Sequence, residues 1–214
     1  MERRPVRVLL ADDHELVRQG LAQILGDTPD VRVVGQTGKA AQVAALAAEL
    51  RPDLVVLDYS MPDLDCPSVI GRLRKELPDV KILVLTIHES IHYAVKVLEC
   101  GAHGYIVKSA AVQELVDAIR SVDEGEVFIS PKISQKILGQ LRTPRTDRLG
   151  IDALSPREFE LLRLLGSGLG LKECARRLDV TTSTASTYRA RLMEKLDLRT
   201  TAQIIRFAIE QGVV

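Results

Sequence analysis

Three aspartates, a threonine and a lysine are the residues of this chain whose types best suit phosphoryl chemistry: Asp12, Asp13, Asp58, Thr86 and Lys108. Clustered aspartate oxygens suit a hard cation such as Mg²⁺, or Mn²⁺ in its place. A carboxylate beside such a cation can attack phosphorus and form an aspartyl phosphate. An ammonium and a hydroxyl can contact the new phosphoryl oxygens. We therefore expect Asp58 to be the nucleophile, with Lys108 and Thr86 facing the phosphoryl group.

Taken singly, each of these residues has an ordinary structural interpretation. An aspartate after a strand, such as Asp12, most often caps a helix. Thr86 can be structural, and Lys108 can be a solvated surface charge. The chemical interpretation is favoured because all five residues fall where a predicted strand ends.

Short apolar runs predict five strands in the first half of the chain, and helical patterns lie near 15–25, 39–50, 67–76, 91–99 and 111–121. Continuous apolar strands separated by helices indicate a parallel sheet that is covered on both faces. The expected fold is an α/β doubly wound, flavodoxin-like domain, whose active site lies beyond the carboxyl ends of the strands. The five strands are Val6–Leu10, Val31–Val34, Leu54–Leu57, Ile82–Leu85 and Gly104–Val107.

The second half of the chain shows helical patterns and no strand signal after residue 139. A short helix is expected at 131–139, followed by helices at 156–166, 171–178, 182–196 and 200–211. Ser155, Pro156 and Glu158 form a capping-box signal for the first of the last four. We predict a domain at 1–124, a linker with a short helix at 125–150, and a small all-α domain at 151–214.

Composition supports two domains and indicates a polyanionic partner. The chain has 214 residues, of which 46% are hydrophobic, and this is enough for two ordinary cores. Residues 1–125 carry a net charge of −5 and residues 126–214 one of +5, so the second half is suited to meet a polyanion. Apolar runs are too short for a membrane span, no signal-peptide core is visible, and three scattered cysteines argue against a disulfide framework. We expect a cytoplasmic protein without membrane contact.

Helices 171–178 and 182–196 predict a helix-turn-helix, with Thr181 as the N-cap of the second helix. In that arrangement the second helix enters the major groove of double-stranded DNA. Small or hydroxylic residues on it are able to approach base edges, and basic residues and a tyrosine are able to contact phosphates. The candidate DNA-binding residues are Lys172, Ser183, Thr184, Ser186, Thr187, Tyr188, Arg189, Arg191 and Lys195.

The first half resembles a two-component receiver domain in the segments 8–14, 54–62, 84–86 and 104–108. The resemblance implies that Asp58 is the phosphoacceptor and Asp13 a direct Mg²⁺ ligand. It also implies that Asp12 assists through water and that the backbone carbonyl of Ser60 is a further ligand. Thr86 and Tyr105 would form a switch pair, the ring turning inward when Thr86 is drawn to the phosphoryl group. The sequence departs from the family at Cys66, where glycine is usual, and at Tyr59, where an aliphatic residue is usual.

Residues 154–214 are similar to the LuxR-type helix-turn-helix domain, and the whole chain resembles the NarL/FixJ family of response regulators. The resemblance implies a sensor histidine kinase as phosphodonor, double-stranded DNA as target, and a homodimer at least when phosphorylated. Ala185 and Ser186 stand where the family frequently has Val-Lys, so one expected DNA contact is missing.

The expected function is therefore a transcription regulator whose DNA binding is controlled by phosphorylation at Asp58. Such a protein accepts and loses a phosphoryl group without being a turnover enzyme. Two alternatives remain open at this point. One is a DNA-binding regulator that uses its receiver only as a dimerisation scaffold. The other is an aspartyl-phosphate phosphohydrolase, which is disfavoured because Ser60 stands where such an enzyme needs a general acid–base aspartate.

Overall fold

The computed structural model describes residues 4–109, 112–142 and 150–214, with 140–142 described by their backbone alone. The predicted linker residues 143–149 and the predicted helix start at 111 lie outside the described residues. The chain divides into two compact units, residues 1–89 with 93–134 and residues 90–92 with 135–214. We call them the N-terminal and the C-terminal unit.

The N-terminal unit contains a parallel sheet whose strand order is β2-β1-β3-β4-β5-β6. The order reverses after β1, so the sheet is doubly wound. The five predicted strands are present, and the second extends three residues beyond its predicted end. The strands are β1 Val6–Ala11, β2 Val31–Thr37, β3 Leu54–Asp58, β4 Lys81–Thr86, β5 Gly104–Val107 and β6 Phe128–Ile129.

Helices follow the first five strands, as expected for a doubly wound fold. The start of the third helix has a local cause, because the Asp65 side chain accepts a hydrogen bond from the Ser68 N–H and Pro67 lies in the first turn. The helices up to the end of the predicted linker helix are α1 Glu15–Gly26, α2 Ala40–Leu50, α3 Cys66–Glu76, α4 Ile91–Glu99, α5 Val112–Asp123 and α6 Pro131–Arg142.

The sixth strand corrects the prediction of a five-stranded sheet. Residues 128–129 were expected in the linker, yet they pair in parallel with β5. Two residues are too few to show the alternation that identifies a strand in sequence. Gly104 permits the close approach, because a Cβ at this position would lie 2.9 Å from the carbonyl oxygen of Phe128.

The sheet places the predicted reactive residues at the carboxyl ends of its strands. Every residue of β3 is buried, as expected for a central strand with helices on both faces. Asp58 is the last residue of β3, and Thr86 is the last residue of β4. Parallel pairing of adjacent strands therefore places these strand ends side by side.

The C-terminal unit is helical from residue 150 onward, as predicted. The capping box at Ser155 and Glu158 and the N-cap at Thr181 are both present. Asp179, in the turn between the second and third of its α-helices, has a φ of 54°, a conformation that aspartate tolerates. The elements are a 3₁₀ turn at Gly150–Ala153, α7 Pro156–Gly166, α8 Leu171–Arg177, α9 Thr182–Lys195 and α10 Thr201–Glu210. No helix among the described residues is long and apolar enough to cross a membrane.

Candidate functional site

An acidic cluster lies at the carboxyl edge of the sheet. Carboxylate oxygens of Asp12, Asp13 and Asp58 and a ring nitrogen of His14 all lie within 4.8 Å of one another. Asp12 and Asp58 are each only 2% exposed. The structure thus brings together the three aspartates that the sequence separates by up to 46 positions.

Lys108 completes the cluster with a positive charge. Its Nζ donates a hydrogen bond to Asp58 Oδ2 at 2.8 Å and forms an ion pair with Asp12 Oδ2 at 2.7 Å. Lys108 lies directly after β5, and its backbone N–H donates to the Thr86 carbonyl oxygen at 2.5 Å. The backbone connection between the ends of β4 and β5 therefore holds Lys108 over the two buried carboxylates.

Burial and charge act in opposite directions on these groups. Burial raises the pKa of Asp58, the Lys108 ammonium opposes that rise, and Asp12 reinforces it, so that the pKa ends above its usual range. Burial alone would lower the pKa of Lys108, but Asp12 and Asp58 outweigh it and raise this pKa. The ammonium therefore stays charged between the two carboxylates.

The donor set of the cluster fits a hard divalent cation. Asp12 Oδ2 is buried, and its partner in the described part of the chain is the Lys108 ammonium at 2.7 Å. Such an oxygen, next to the half-buried carboxylate of Asp13, is the type of ligand that Mg²⁺ prefers.

Two further groups at the cluster were not predicted from the sequence. His14 Nδ1 lies 2.9 Å from Asp13 Oδ1, and Arg18 donates from Nη1 to the backbone oxygen of Asp12 at 2.6 Å. His14 directly follows the two aspartates, which was a usable signal. Arg18 gave none, because its contact depends on how α1 packs beside β1.

The predicted switch pair is buried and linked through one residue. Thr86 and Tyr105 are both 0% exposed. Thr86 Oγ1 accepts a hydrogen bond from the His88 N–H at 3.0 Å, and Tyr105 Oη donates to the His88 carbonyl oxygen at 2.8 Å. Burial raises the pKa of Tyr105, so its hydroxyl keeps the proton that it donates. The peptide groups of His88 thus contact both side chains of the pair.

Three aromatic rings pack against one another at the loop after β4. The His88 ring stacks on Tyr93 with centroids 4.5 Å apart, and Tyr59 meets Tyr93 edge-on at 4.8 Å. Ser60 Oγ lies 3.4 Å from His88 Nε2. Burial lowers the pKa of His88. The unusual Tyr59 is therefore accommodated by an aromatic contact beside Asp58.

The helices α8 and α9 present a surface suited to DNA. Ala185 and Leu192 are 0% exposed, so this face of α9 packs into the interior of the domain. The opposite face carries the predicted small and hydroxylic residues, and the half-buried members of the candidate set are Thr184, Tyr188 and Arg189. The exposed candidates are Lys172, Ser183, Ser186, Thr187 and Arg191, with Lys195 at the end of the helix.

Lys195 has a partner inside the protein. Its Nζ donates to Glu158 Oε2 at 2.6 Å, and the same oxygen accepts from the Ser155 N–H at 2.7 Å. Glu158 is only 3% exposed. Burial alone would raise the pKa of Glu158, but Lys195 and Ser155 outweigh it and hold this pKa below its usual range. The predicted phosphate contact of Lys195 stays a prediction, and it would have to compete with this pair.

Comparison with known protein families accounts for both units. Residues 8–120, more than half of the chain, match the response regulator receiver domain. Residues 152–208 match the bacterial regulatory proteins of the luxR family. The chain is a two-component response regulator of the NarL/FixJ family. Its two domains are a receiver and a LuxR-type DNA-binding domain.

Similar response regulators align with it along nearly their whole length. The transcriptional regulatory protein MctR of Rhizobium johnstonii is 36% identical over 100% of this chain and 97% of its own. The response regulator GacA of Pseudomonas aeruginosa is 32% identical over 98% of each chain. RcsB of Salmonella enterica serovar Typhimurium, solved on the promoter rprA with the phosphomimetic BeF3⁻, is 25% identical with a TM-score of 0.68, over 95% of this chain and 98% of that one.

The structure shows how departures of this response regulator from its family are accommodated. Cys66 begins α3 and is 2% exposed, and it is not among the described residues with positive φ. The absence of glycine at this position therefore causes no backbone strain. Ala185 is buried and Ser186 exposed, so only the second of the two changes alters the surface that faces outward.

The loop after Asp58 is tied to α2 by a carboxylate. Asp63 accepts hydrogen bonds from the N–H groups of Ala40 and Ala41, both at 2.9 Å. Lys39, at the N-cap of α2, makes no side-chain cap hydrogen bond. Asp63 thus caps α2 from a position 23 residues later in the chain, and it anchors the phosphoacceptor loop.

We expect Asp63→Ala to lower the thermal stability of the receiver at neutral pH. The two N–H bonds hold the pKa of Asp63 below its usual range. Stabilisation from such a group is present above the usual aspartate pKa and is lost as the pH falls through the lower folded-state pKa. The difference in melting temperature between wild type and variant should therefore shrink on acidification. Glu49→Ala, an exposed change on α2, is the control; an equal effect of both variants would contradict the capping role.

Proposed function

We propose that Asp58 accepts a phosphoryl group from a sensor histidine kinase, and that this controls sequence-specific DNA binding by residues 151–214. In this proposal residues 1–124 are the phosphorylated domain, and residues 125–150, whose first part pairs with the receiver sheet as β6, lead to the DNA-binding domain. The regulator acts on double-stranded DNA as a homodimer, at least when phosphorylated, and it is not a turnover enzyme.

One observation carries the proposal: a buried Asp58 carboxylate lies among the ligand atoms of Asp12 and Asp13 and 2.8 Å from Lys108 Nζ. A carboxylate oxygen of Asp58 forms the new bond to phosphorus. The bond between phosphorus and the nitrogen of the donor phosphohistidine breaks, and the imidazole keeps the electron pair. Lys108 is placed to contact the oxygens of the transferred group.

Asp12, Asp13, Asp58 and the backbone carbonyl of Ser60 are the groups that would hold Mg²⁺ or Mn²⁺. When bound, the cation supplies positive charge that offsets the repulsion between the carboxylates and the incoming phosphoryl group. The chain itself keeps the buried carboxylates of Asp12 and Asp58 in contact with the Lys108 ammonium before the phosphodonor binds.

Phosphorylation adds about −1.5 to −2 charges next to Thr86. When the Thr86 hydroxyl is drawn to that charge, it gives up the hydrogen bond that it accepts from the His88 N–H. Tyr105 Oη bonds to the carbonyl oxygen of the same residue, so both members of the switch pair respond to a change at His88. This two-state contact is the element that the added charge biases.

The DNA-binding half of the proposal is supported by the exposed face of α9 and by its basic residues. Ser183, Ser186 and Thr187 are exposed, and their side chains are short enough to let the backbone of α9 approach base edges. Lys172 and Arg191 are exposed at positions suited to phosphates. The remaining candidates, Thr184, Tyr188, Arg189 and Lys195, are proposed to contact DNA at the edge of this face.

Incubation with Mg²⁺ and radiolabelled acetyl phosphate tests the proposal. We expect acid-stable, hydroxylamine-labile label on the wild type and none on Asp58→Ala. Asp79→Ala, which removes an exposed carboxylate outside the cluster, should label like the wild type. The labelled wild type should bind DNA more tightly than the unlabelled protein.

Three results would contradict the proposal. Absence of label on the wild type excludes phosphorylation at Asp58. Label without any change in DNA affinity or oligomeric state favours a receiver that serves only as a dimerisation scaffold. Release of many phosphate molecules per chain favours a phosphohydrolase.

A further inference from the structure

The chain segment after α5 is built into the receiver. The Phe128 N–H donates to the His103 carbonyl oxygen at 3.0 Å, and the Ser130 N–H donates to the Tyr105 carbonyl oxygen at 2.9 Å. Ile133, in the first turn of α6, is 0% exposed. Residues 128–133 are therefore an ordered part of the receiver, although the sequence pattern placed them in a linker.

One of these contacts reaches the switch pair. Ser130 is bonded to the backbone of Tyr105, one member of the pair. Ser130 is itself only 2% exposed, and its hydroxyl donates to Glu114 Oε1 on α5. The start of α6 is thus held between the last long strand of the sheet and the helix that covers it.

An ion pair joins the same turn to the loop after β4. Lys132 Nζ lies 2.5 Å from Glu89 Oε1, across 43 positions in the sequence. Glu89 directly follows His88, whose N–H bonds to Thr86 and whose carbonyl oxygen accepts from Tyr105. The hydrogen bonds of the switch pair and the ion pair with α6 are therefore made by adjacent residues.

We propose that the Glu89–Lys132 ion pair carries the state of the switch pair to α6, and that the chain running on from α6 delivers it to the DNA-binding domain. This inference rests on the proposed phosphorylation of Asp58. When the Thr86 hydroxyl leaves the His88 N–H, the loop that holds Glu89 changes its position relative to Lys132. The strand β6 stays bonded to β5 and fixes the start of α6 on that side. The displaced Glu89 pulls on Lys132 from the other side.

Charge reversal at the two positions tests this coupling. Glu89→Lys and Lys132→Glu each bring like charges together, and the double variant Glu89→Lys/Lys132→Glu restores opposite charges with exchanged positions. The quantity measured is the ratio of affinities for one mixed-sequence duplex, determined with and without acetyl phosphate. An exposed ion pair is a weak interaction, so each single reversal should reduce this ratio by about threefold to fivefold. The double variant should recover most of it.

Three controls separate coupling from other effects. Lys75→Glu on α3 repeats the charge change of Lys132→Glu at an exposed site and should keep the wild-type ratio. Label on Asp58 should reach wild-type stoichiometry in every variant. Lys132→Gln removes the charge without reversing it and should reduce the ratio less than Lys132→Glu. It keeps the test valid if a charge-reversed variant fails to fold.

The outcomes also distinguish this inference from the function on which it rests. Failure of the wild type to become labelled, or to respond to label, overturns the proposed function. A wild type that responds, together with single reversals that respond equally, overturns only the role of the ion pair. A double variant that stays as impaired as the single ones also overturns it, because the loss would then not come from the pairing of charges.

Discussion

The Lys108→Met variant is expected to be about 3 kcal/mol less stable than the wild type in the absence of divalent cations, because removing one partner of a buried ion pair leaves an uncompensated charge. Lys108 Nζ contacts Asp12 Oδ2 and Asp58 Oδ2, and the three side chains are between 1% and 15% exposed. Without the ammonium, two buried carboxylates face each other in the receiver.

The loss of stability should depend on pH in a direction that identifies its cause. Without the opposing Lys108 ammonium, burial and the charge of Asp12 raise the pKa of Asp58 further above its unfolded value. The folded variant then takes up a proton more readily than the unfolded chain. The deficit should be small below the usual aspartate pKa and should grow as the pH rises through the raised pKa.

Urea unfolding of the receiver transition at pH 5 and pH 8, with EDTA and with Mg²⁺, measures these effects. Mg²⁺ bound to the native cluster should recover part of the stability, because a ligand that binds only the folded state stabilises it. Lys75→Met, an exposed change on α3, is the control and should leave the midpoint nearly unchanged. A Lys108→Met midpoint equal to that of the wild type at pH 8 with EDTA would show that the ammonium does not hold the carboxylates together.

Glu158→Ala should destabilise the DNA-binding domain by about 2 kcal/mol, less than for a fully buried pair because Lys195 is partly exposed. Glu158 Oε2 accepts from both Lys195 and the Ser155 N–H, so the substitution removes an ion pair and half of the capping box together. Lys195→Met should cost nearly as much, because it leaves the 3% exposed carboxylate of Glu158 without its cation. The double variant should cost less than the sum of the two.

The same variants decide how Lys195 acts on DNA. A lysine that neutralises a phosphate contributes about one unit to the salt slope of DNA affinity. We expect Lys195→Met to weaken binding to a mixed-sequence duplex and to lower that slope by less than Arg191→Met does, because the Lys195 ammonium is shared between Glu158 and the proposed phosphate contact. Arg191→Met, an exposed change on α9, is the matched comparison and should lower the slope. A slope that is unchanged in Lys195→Met would contradict the proposed phosphate contact of Lys195.

Local patterns were sufficient for most elements and for the identity of the reactive groups. Apolar runs identified the five long strands, and the hydroxyl and carboxylate signals at Ser155, Glu158 and Thr181 marked two helix starts that the structure confirms. These features depend on neighbours a few residues away, which is the range that periodicity and capping cover. The order of strands then follows from the general rule for doubly wound sheets, so Asp12, Asp58 and Lys108 could be expected at one edge.

Contacts between distant residues were decided by packing alone. Strand β6 is two residues long and exists because Gly104 lets it approach β5. Asp63 caps a helix 23 residues earlier, Glu158 binds a lysine 37 residues later, and Lys132 reaches Glu89 across 43. A charged residue has many possible partners at such separations, and sequence patterns do not rank them. The folded chain selects one, because only the three-dimensional arrangement of helices and strands sets which side chains come within a few ångströms of each other.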